Sequence, residues 1–277
     1  LSQFNPVTND WSSFLNEAGF EQENQVKDVH QDSKGNLVLA VERGFQIGGE
    51  TGFDYYDRST VSGMGEFVTS SIIDGDDNVW FTAWDNSEIY LRKLDLNTMT
   101  ITFSEKMFTT DVHVGGITLD LENRPWIATT EGVLTFEEGT GFTTYDETTL
   151  TFKETYGIFH KDGIIYTVHD GGINIYNGTE VSFIANPMLY NTRNGFIKVD
   201  DDGNVWTCGS EGIFRYHEQS GWDMKKLNFL GDDFAFGYQI YDFLITPNNH
   251  AFIATRWGLL AFETADDIFT NEPVVYN

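Results

Sequence analysis

The feature that most constrains the fold is an internal repeat. Six times along the 277 residues, an alternating apolar segment leads into an Asp- or Asn-rich turn, an aromatic strand and a Gly-containing turn. The central turns of the six copies fall at Asn36, Asn78, Arg124, Gly163, Asn204 and His250. Successive copies are therefore 39 to 46 residues apart. A repeat of this length with four short strands is typical of a β-propeller blade.

The segments around these turns have the composition of strands. Ile72-Ile73, Val79-Trp80-Phe81 and Ile164-Ile165-Tyr166 combine β-branched and aromatic residues and are flanked by Gly, Asp and Asn. No segment has the pattern of a long amphipathic helix, which excludes helical repeats of similar period. We therefore predict an all-β fold, a six-bladed β-propeller of four-stranded antiparallel blades that forms a single domain over residues 1–277.

A ring of blades needs a closing strand. Trp11–Leu15 resembles the fourth strands expected at Phe142–Tyr145 and Trp222–Leu227, yet no blade precedes it. We expect this N-terminal strand to complete the last blade, because pairing the two ends of the chain removes open sheet edges. The competing closing strand is Val274–Tyr276.

Three turn sequences resemble known repeats. Val199–Thr207 followed by Gly212-Ile213-Phe214 resembles the two-component-regulator propeller repeat, as does Leu119–Thr129 followed by Gly132-Val133-Leu134. That family is common in extracytoplasmic sensor regions of bacterial hybrid histidine kinases and in related secreted propellers. The resemblance implies a periplasmic, cell-surface or secreted chain whose signal peptide has been removed. Asn78–Thr82 is similar to the repeat of streptogramin-lyase-like propellers, but the catalytic residues of that family have no counterpart that can be placed here.

The charge balance excludes several function classes. Asp and Glu number 43 against 16 Lys and Arg, which gives a net charge of −27. Such a chain repels nucleic-acid backbones and anionic lipid surfaces and attracts basic proteins and cations. No run of 18 apolar residues is present, so we expect no membrane insertion by this chain. Cys208 is the only cysteine, and its apolar neighbourhood predicts a buried, inert thiol.

The candidate binding residues lie where the repeat predicts loops at one end of the blades. Propellers commonly bind ligands with the loops between second and third strands and the loops that enter each first strand. The first set of loops carries Glu42, Arg43, Trp84, Asp85, Glu131, His169, Asp170, Glu211, Arg256 and Trp257. The second set carries His113, Tyr156, Arg193, Asn194, Tyr238 and Tyr241. Aromatic faces with carboxylates and guanidinium groups suit a polar ligand with one apolar face, such as a sugar or a peptide.

Catalytic and metal-binding alternatives use a subset of these residues. His169-Asp170 is an adjacent pair of a histidine and a carboxylate in one of these loops, and His113 and Glu131 would join it in an acid–base set. The Asp-rich turns at Asp74–Asp77 and Asp200–Gly203 lack the spacing of an EF-hand loop, so we expect tight hairpin turns there. We therefore expect no cofactor beyond weakly bound Ca²⁺.

These observations leave three kinds of function open. The leading prediction is a non-catalytic recognition or scaffold propeller for a saccharide, a peptide or a partner protein, with a basic partner favoured by the charge. Such a propeller would suit a bacterial envelope assembly. The alternatives are a lyase or hydrolase acting on a polysaccharide or small molecule, and a structural subunit whose partner covers a blade edge.

Overall fold

Antiparallel β-sheet dominates the structure. The computed structural model describes residues 2–5, 10–13, 25–49, 51–109, 112–146, 149–150, 154–190, 196–209, 212–226, 240–246, 248–255, 258–271 and 273–276. The chain divides into two compact units, Leu1–Leu119 and Asp120–Asn277. The described strands form six four-stranded antiparallel sheets and one two-stranded sheet. Each four-stranded sheet is a propeller blade, so the prediction of a six-bladed β-propeller is confirmed.

The strands of each blade follow one another in chain order. The two-stranded sheet pairs β1 (Ser2–Asn5) with β2 (Asp10–Ser13). Blade 1 consists of β3 (Val26–Gln31), β4 (Leu37–Val41), β5 (Gly44–Gly49) and β6 (Gly52–Asp57). Blade 2 consists of β7 (Phe67–Ile73), β8 (Asn78–Asp85), β9 (Glu88–Asp95) and β10 (Thr100–Phe108). Blade 3 consists of β11 (Val114–Leu119), β12 (Pro125–Thr129), β13 (Gly132–Glu137) and β14 (Gly141–Tyr145).

The remaining blades repeat this plan. Blade 4 consists of β15 (Gly157–Lys161), β16 (Ile164–His169), β17 (Gly172–Tyr176) and β18 (Val181–Ala185). Blade 5 consists of β19 (Ile197–Val199), β20 (Val205–Gly209), β21 (Gly212–His217) and β22 (Gly221–Lys225). Blade 6 consists of β23 (Ile240–Ile245), β24 (Ala251–Thr255), β25 (Gly258–Phe262) and β26 (Val274–Tyr276). Between β25 and β26 lies α1 (Asp267–Thr270), and no helix in the described residues is long and apolar enough to cross a membrane.

The closing strand of blade 6 differs from the expectation. β26 (Val274–Tyr276), not the N-terminal segment, pairs with β25, with Val275 opposite Leu260. The N-terminal strand β2 (Asp10–Ser13) pairs with β1 instead. Both candidates have strand-like sequences, but only β26 follows β25 closely along the chain. Pairing β26 with β25 therefore closes a much shorter loop than pairing the N-terminal strand with β25 would, and the loss of chain entropy is smaller.

The Asp-rich turns are built as the sequence predicts. The Oδ1 atom of Asp74 accepts hydrogen bonds from the backbone N–H groups of Asp76 (3.0 Å) and Asn78 (2.9 Å). In blade 5, Asp200 Oδ1 accepts the corresponding bonds from Asp202 (3.0 Å) and Asn204 (2.8 Å). These carboxylates satisfy the backbone donors of their own turns, which explains the acidic sequences there.

The core lies between consecutive blades. In unit 1, Phe45 of blade 1 meets Phe81 of blade 2 edge to face, with ring centroids 5.2 Å apart, and Met64 is buried in the same cluster. In unit 2, Trp206 of blade 5 stacks on Phe243 of blade 6 at 5.1 Å. Within each unit, the blade faces that meet are apolar, as propeller packing requires.

Candidate functional site

A cleft with a volume of about 510 Å³ opens in unit 1. It lies where the ends of second strands meet the starts of first strands, the end of the blades at which the sequence predicts ligand binding. The cleft is lined by Lys27, Glu42, Phe67, Val68, Thr69, Trp84, Val112, His113 and Val114. Glu42, Trp84 and His113 are three of the residues that the repeat places in these loops.

Backbone hydrogen bonds fix this end of the two blades. Phe67 at the start of β7 lies directly opposite Trp84 at the end of β8. The backbone N–H of Val68 donates to the carbonyl oxygen of Glu42 at 2.9 Å, which ties blade 2 to blade 1. The backbone N–H of Glu66 donates to the Trp84 carbonyl oxygen at 2.8 Å. The two aromatic residues are therefore held on ordered strand ends rather than on free loops.

The walls of the cleft combine aromatic and charged side chains. Phe67 is 39% exposed, an unusual position for a phenylalanine, and Trp84 is half-buried. The side chains of Lys27 and His113 are exposed, and that of Glu42 is half-buried. An apolar concave surface with a few charged groups has the general character of a ligand pocket.

Asp85, next to Trp84, is engaged in an ion pair. Its Oδ2 atom accepts a hydrogen bond from Nη2 of Arg92 at 2.8 Å, and Arg92 is only 4% exposed. The Arg92 Nε–H also donates to Ser104 Oγ at 3.2 Å. Asp85 is not among the residues that line the cleft. Its ion pair with Arg92 joins the end of β8, where Trp84 lies, to β9.

Several other candidate residues lie in the predicted loops without sharing this cleft. Arg43 is exposed in the turn between β4 and β5, and Glu131 is exposed in the turn between β12 and β13. Asp170 is exposed between β16 and β17. Tyr156 is buried and donates its hydroxyl hydrogen to Glu154 Oε2 at 2.6 Å. Arg193, Asn194, Glu211, Tyr238, Arg256 and Trp257 lie outside the described residues.

The buried position of His169 does not suit an acid–base role. Its side chain is 0% exposed and stacks on Phe183, with ring centroids 5.3 Å apart. The Nδ1 atom lies 2.8 Å from the backbone carbonyl oxygen of Asp170. Burial lowers the pKa of the His169 imidazole below its usual value, since the charged form loses its hydration. An imidazole this enclosed does not reach a ligand in solvent.

A serine, a histidine and a carboxylate meet between β3 and β7, which the sequence analysis did not anticipate. Ser71 Oγ lies 2.9 Å from His30 Nε2, and the Ser71 backbone N–H donates to Asp28 Oδ2 at 2.8 Å. Ser71 is only 3% exposed, so a substrate cannot approach its hydroxyl. The three residues therefore serve as a polar link between blades 1 and 2.

The sequence analysis also missed part of the cleft. Lys27, Phe67, Thr69 and Val112 line it but belong to the starts of first strands or the residues just before them. Phe67 could have been found from the register of the hairpin, because the residue paired with Trp84 on the neighbouring strand has its side chain on the same face of the sheet. Among the described residues, no group of three or more His, Cys, Asp and Glu side chains is arranged to hold a metal ion.

Comparison with known proteins supports the fold. No protein-family model and no curated protein matches the sequence. The extracellular domain of a putative hybrid two-component system from B. thetaiotaomicron superposes with a TM-score of 0.70 at 20% identity. This alignment covers 100% of the present chain and 37% of the sensor's chain, so the chain spans little more than a third of that sensor's length.

Two lyases have the same fold. Streptogramin B lyase superposes with a TM-score of 0.72 at 17% identity, covering 92% of this chain and 83% of the lyase. Virginiamycin B lyase from Staphylococcus aureus superposes with a TM-score of 0.71 at 14% identity, and the alignment covers 92% of this chain and 84% of the lyase. Both resemblances found in the turn sequences thus agree with solved structures. At these identities, the likeness shows a shared fold.

Proposed function

We propose that this protein is a non-catalytic recognition or scaffold propeller that binds a saccharide, a peptide or a partner protein at the cleft in unit 1. The observation that carries the proposal is the paired placement of Phe67 and Trp84, both with accessible surface, around a concavity of about 510 Å³. Soluble proteins seldom leave two neighbouring aromatic residues accessible in a concave site without a binding role.

The proposed setting is extracytoplasmic, with residues 1–277 acting as one propeller domain. The extracellular sensor domain that shares the fold supports this setting. The net charge of −27 supports a partner other than nucleic acid or an anionic membrane. A rigid propeller that exposes a binding cleft would act as a docking module in a bacterial envelope assembly, and its selectivity would come from the cleft.

The test is ligand-induced thermal stabilisation. Hexasaccharides of glucose, N-acetylglucosamine and galacturonic acid and a set of short peptides are screened by differential scanning fluorimetry. At a concentration of about 100 times Kd, a bound ligand should raise the Tm by about 5 °C. Trp84→Ala should abolish that rise, because it removes one aromatic wall of the cleft.

The matched control is Trp222→Ala. Trp222 is also half-buried, but it packs on Tyr216 and does not line the cleft. Each variant is compared with its own ligand-free Tm, so a general loss of stability does not affect the result. A ligand that stabilises Trp84→Ala as much as the wild-type protein would show that the cleft is not the binding site.

A further inference from the structure

The buried part of the cleft is apolar. Val68, Val112 and Val114 line it and are only 2%, 4% and 7% exposed, whereas Phe67 and Trp84 are more accessible. A group that enters between these side chains leaves water and meets hydrocarbon and aromatic surface. Removing apolar ligand surface from water at this place favours binding.

Two of the polar side chains on the walls already have hydrogen-bond partners. The Thr69 hydroxyl lies 2.7 Å from Thr82 Oγ1, and Lys27 Nζ donates to Gln25 Oε1 at 3.1 Å. A saccharide has a hydroxyl on most of its carbons, and each one that is buried without a hydrogen bond opposes binding. The cleft therefore favours a ligand whose inserted part is aromatic or aliphatic.

The charge of the protein indicates which residues of the ligand flank the inserted group. The cleft itself is lined by one carboxylate, Glu42, and one ammonium group, Lys27. Glu66 and Asp85, which flank Phe67 and Trp84 along the chain, form ion pairs with Arg58 at 3.0 Å and Arg92 at 2.8 Å. The acidic surplus is therefore that of the chain as a whole. The whole chain carries a net charge of −27. The electric field of this negative charge accelerates the approach of a cationic partner and repels an anionic one.

We propose that the cleft receives one aromatic or long aliphatic side chain from a lysine- or arginine-rich peptide segment of a partner protein. This proposal rests on the binding role of the cleft proposed above and narrows its ligand class to a basic peptide. The inserted side chain contributes apolar burial against Phe67 and Trp84. The flanking cations interact with the acidic surface and contribute mainly to association rate and selectivity.

The probe is the synthetic peptide Lys-Gly-Lys-Phe-Lys-Gly-Lys, titrated by isothermal calorimetry into the full chain. We expect saturable binding that weakens at least tenfold when the central phenylalanine of the peptide is replaced by alanine. The protein variant Phe67→Ala should weaken binding by a similar factor, and Phe67→Tyr should largely restore it. Raising the NaCl concentration should weaken binding severalfold, because exposed charges are screened.

Val29→Ala is the control variant. Val29 is an apolar residue that is 50% exposed on β3 and does not line the cleft, so this change should leave the affinity unaltered. Circular dichroism at the titration temperature checks that every variant is folded. The three hexasaccharides named above are titrated in parallel.

The outcomes separate this proposal from the broader one. If a hexasaccharide binds in a Phe67-dependent way and the peptide does not, the cleft is a binding site but the peptide proposal is wrong. If the peptide binds equally well without its phenylalanine, only non-specific charge attraction is present, and the peptide proposal is also wrong. If neither probe shows binding that depends on Phe67, both proposals fail.

Discussion

At the residue scale, two aspartates hold tryptophans of their own blades. Asp120 Oδ2 accepts hydrogen bonds from Trp126 Nε1 at 2.9 Å and from Arg124 Nε at 2.7 Å. In blade 5, Asp200 Oδ2 accepts from Trp206 Nε1 at 2.8 Å. Each carboxylate thus joins the first turn of its blade to an indole in the core. Buried polar groups that share partners in this way specify one arrangement of the neighbouring side chains.

The ionisation of Asp120 should therefore contribute to stability. Burial opposes ionisation, but the hydrogen bonds from Trp126 and Arg124 outweigh it and bring the pKa of the Asp120 carboxyl below its usual value. Because the pKa is lower in the folded state, the stabilisation is fully present above the unfolded pKa of about 3.9 and is lost as the pH falls through the folded pKa.

We predict that Asp120→Asn lowers the free energy of unfolding at pH 7 by about 1–3 kcal/mol. The deficit should begin to shrink as the pH falls below the unfolded pKa of about 3.9 and should be lost as the pH falls through the lower folded pKa, where the wild-type carboxylate becomes protonated. Urea unfolding at several pH values measures both effects. The control is Glu122→Gln, whose side chain is 65% exposed and should change stability by less than about 1 kcal/mol. An equal loss in both variants would contradict the prediction.

Cys208 illustrates a residue whose state was predictable from its neighbours. It is 2% exposed, and burial raises the pKa of its thiol to about 12. Since the thiolate is the reactive form, this thiol is inert at neutral pH. The sequence predicted a buried, inert cysteine because it adjoins Trp206 in an apolar strand, and this prediction is confirmed.

At the element scale, blades 3 and 5 need a glycine as the first residue of their third strand. The backbone there has a positive φ, and the fourth strand comes too close for a side chain. Gly132 has φ = +126°, and a Cβ there would overlap the backbone carbonyl oxygen of Tyr145 on β14. Gly212 has φ = +143°, and a Cβ there would overlap the Lys225 carbonyl oxygen on β22. The fourth strand therefore ends directly against the first residue of the third, at a distance that only glycine permits.

We predict that Gly132→Ala destabilises the protein by about 3 kcal/mol or more, from steric overlap together with backbone strain. The matched control is Gly139→Ala, in the β13–β14 turn. Gly139 also has positive φ, +86°, but an added Cβ meets nothing within 4 Å. It should cost only about 1–2 kcal/mol. Chemical denaturation measures the two free energies, and similar values would refute the role of the contact with Tyr145.

The period and pattern of the repeat were enough to predict the elements of the blades, because each hairpin is encoded locally by its turn residues. The closing strand of blade 6 was not predictable. Trp11–Leu15 and Val274–Tyr276 both have strand-like sequences, and only tertiary pairing decides which of them completes the blade. Trp84 was placed at the cleft by its repeat position. Phe67 was missed because its exposure depends on how blades 1 and 2 and β11 come together, which the repeat does not specify.

At the scale of the whole molecule, the net charge of −27 is a destabilising feature as well as a source of selectivity. Carboxylates held close together in the folded chain repel one another more strongly than they do in an expanded chain. Dissolved salt shortens the range of this repulsion, from roughly 30 Å at 0.01 M to 3 Å at 1 M.

We predict that raising NaCl from about 0.01 M to about 1 M at pH 7 increases the Tm by about 4 °C or more, which corresponds to roughly 1–2 kcal/mol. The control is the same titration at about pH 4, where many carboxylates are protonated and the increase should be smaller. Differential scanning calorimetry provides both curves. A Tm that is insensitive to salt at pH 7 would contradict the prediction and show that repulsion among the acidic groups contributes little to stability.

The pairing of β26 with β25 makes blade 6 a sheet of four consecutive strands, like the other five. Among the described strands, no blade borrows one from the opposite end of the polypeptide, so each blade can form as soon as its own segment has left the ribosome. Folding can then proceed in the order of synthesis. For the same reason, gene duplication or deletion of one repeat would add or remove a whole sheet without leaving a neighbour incomplete.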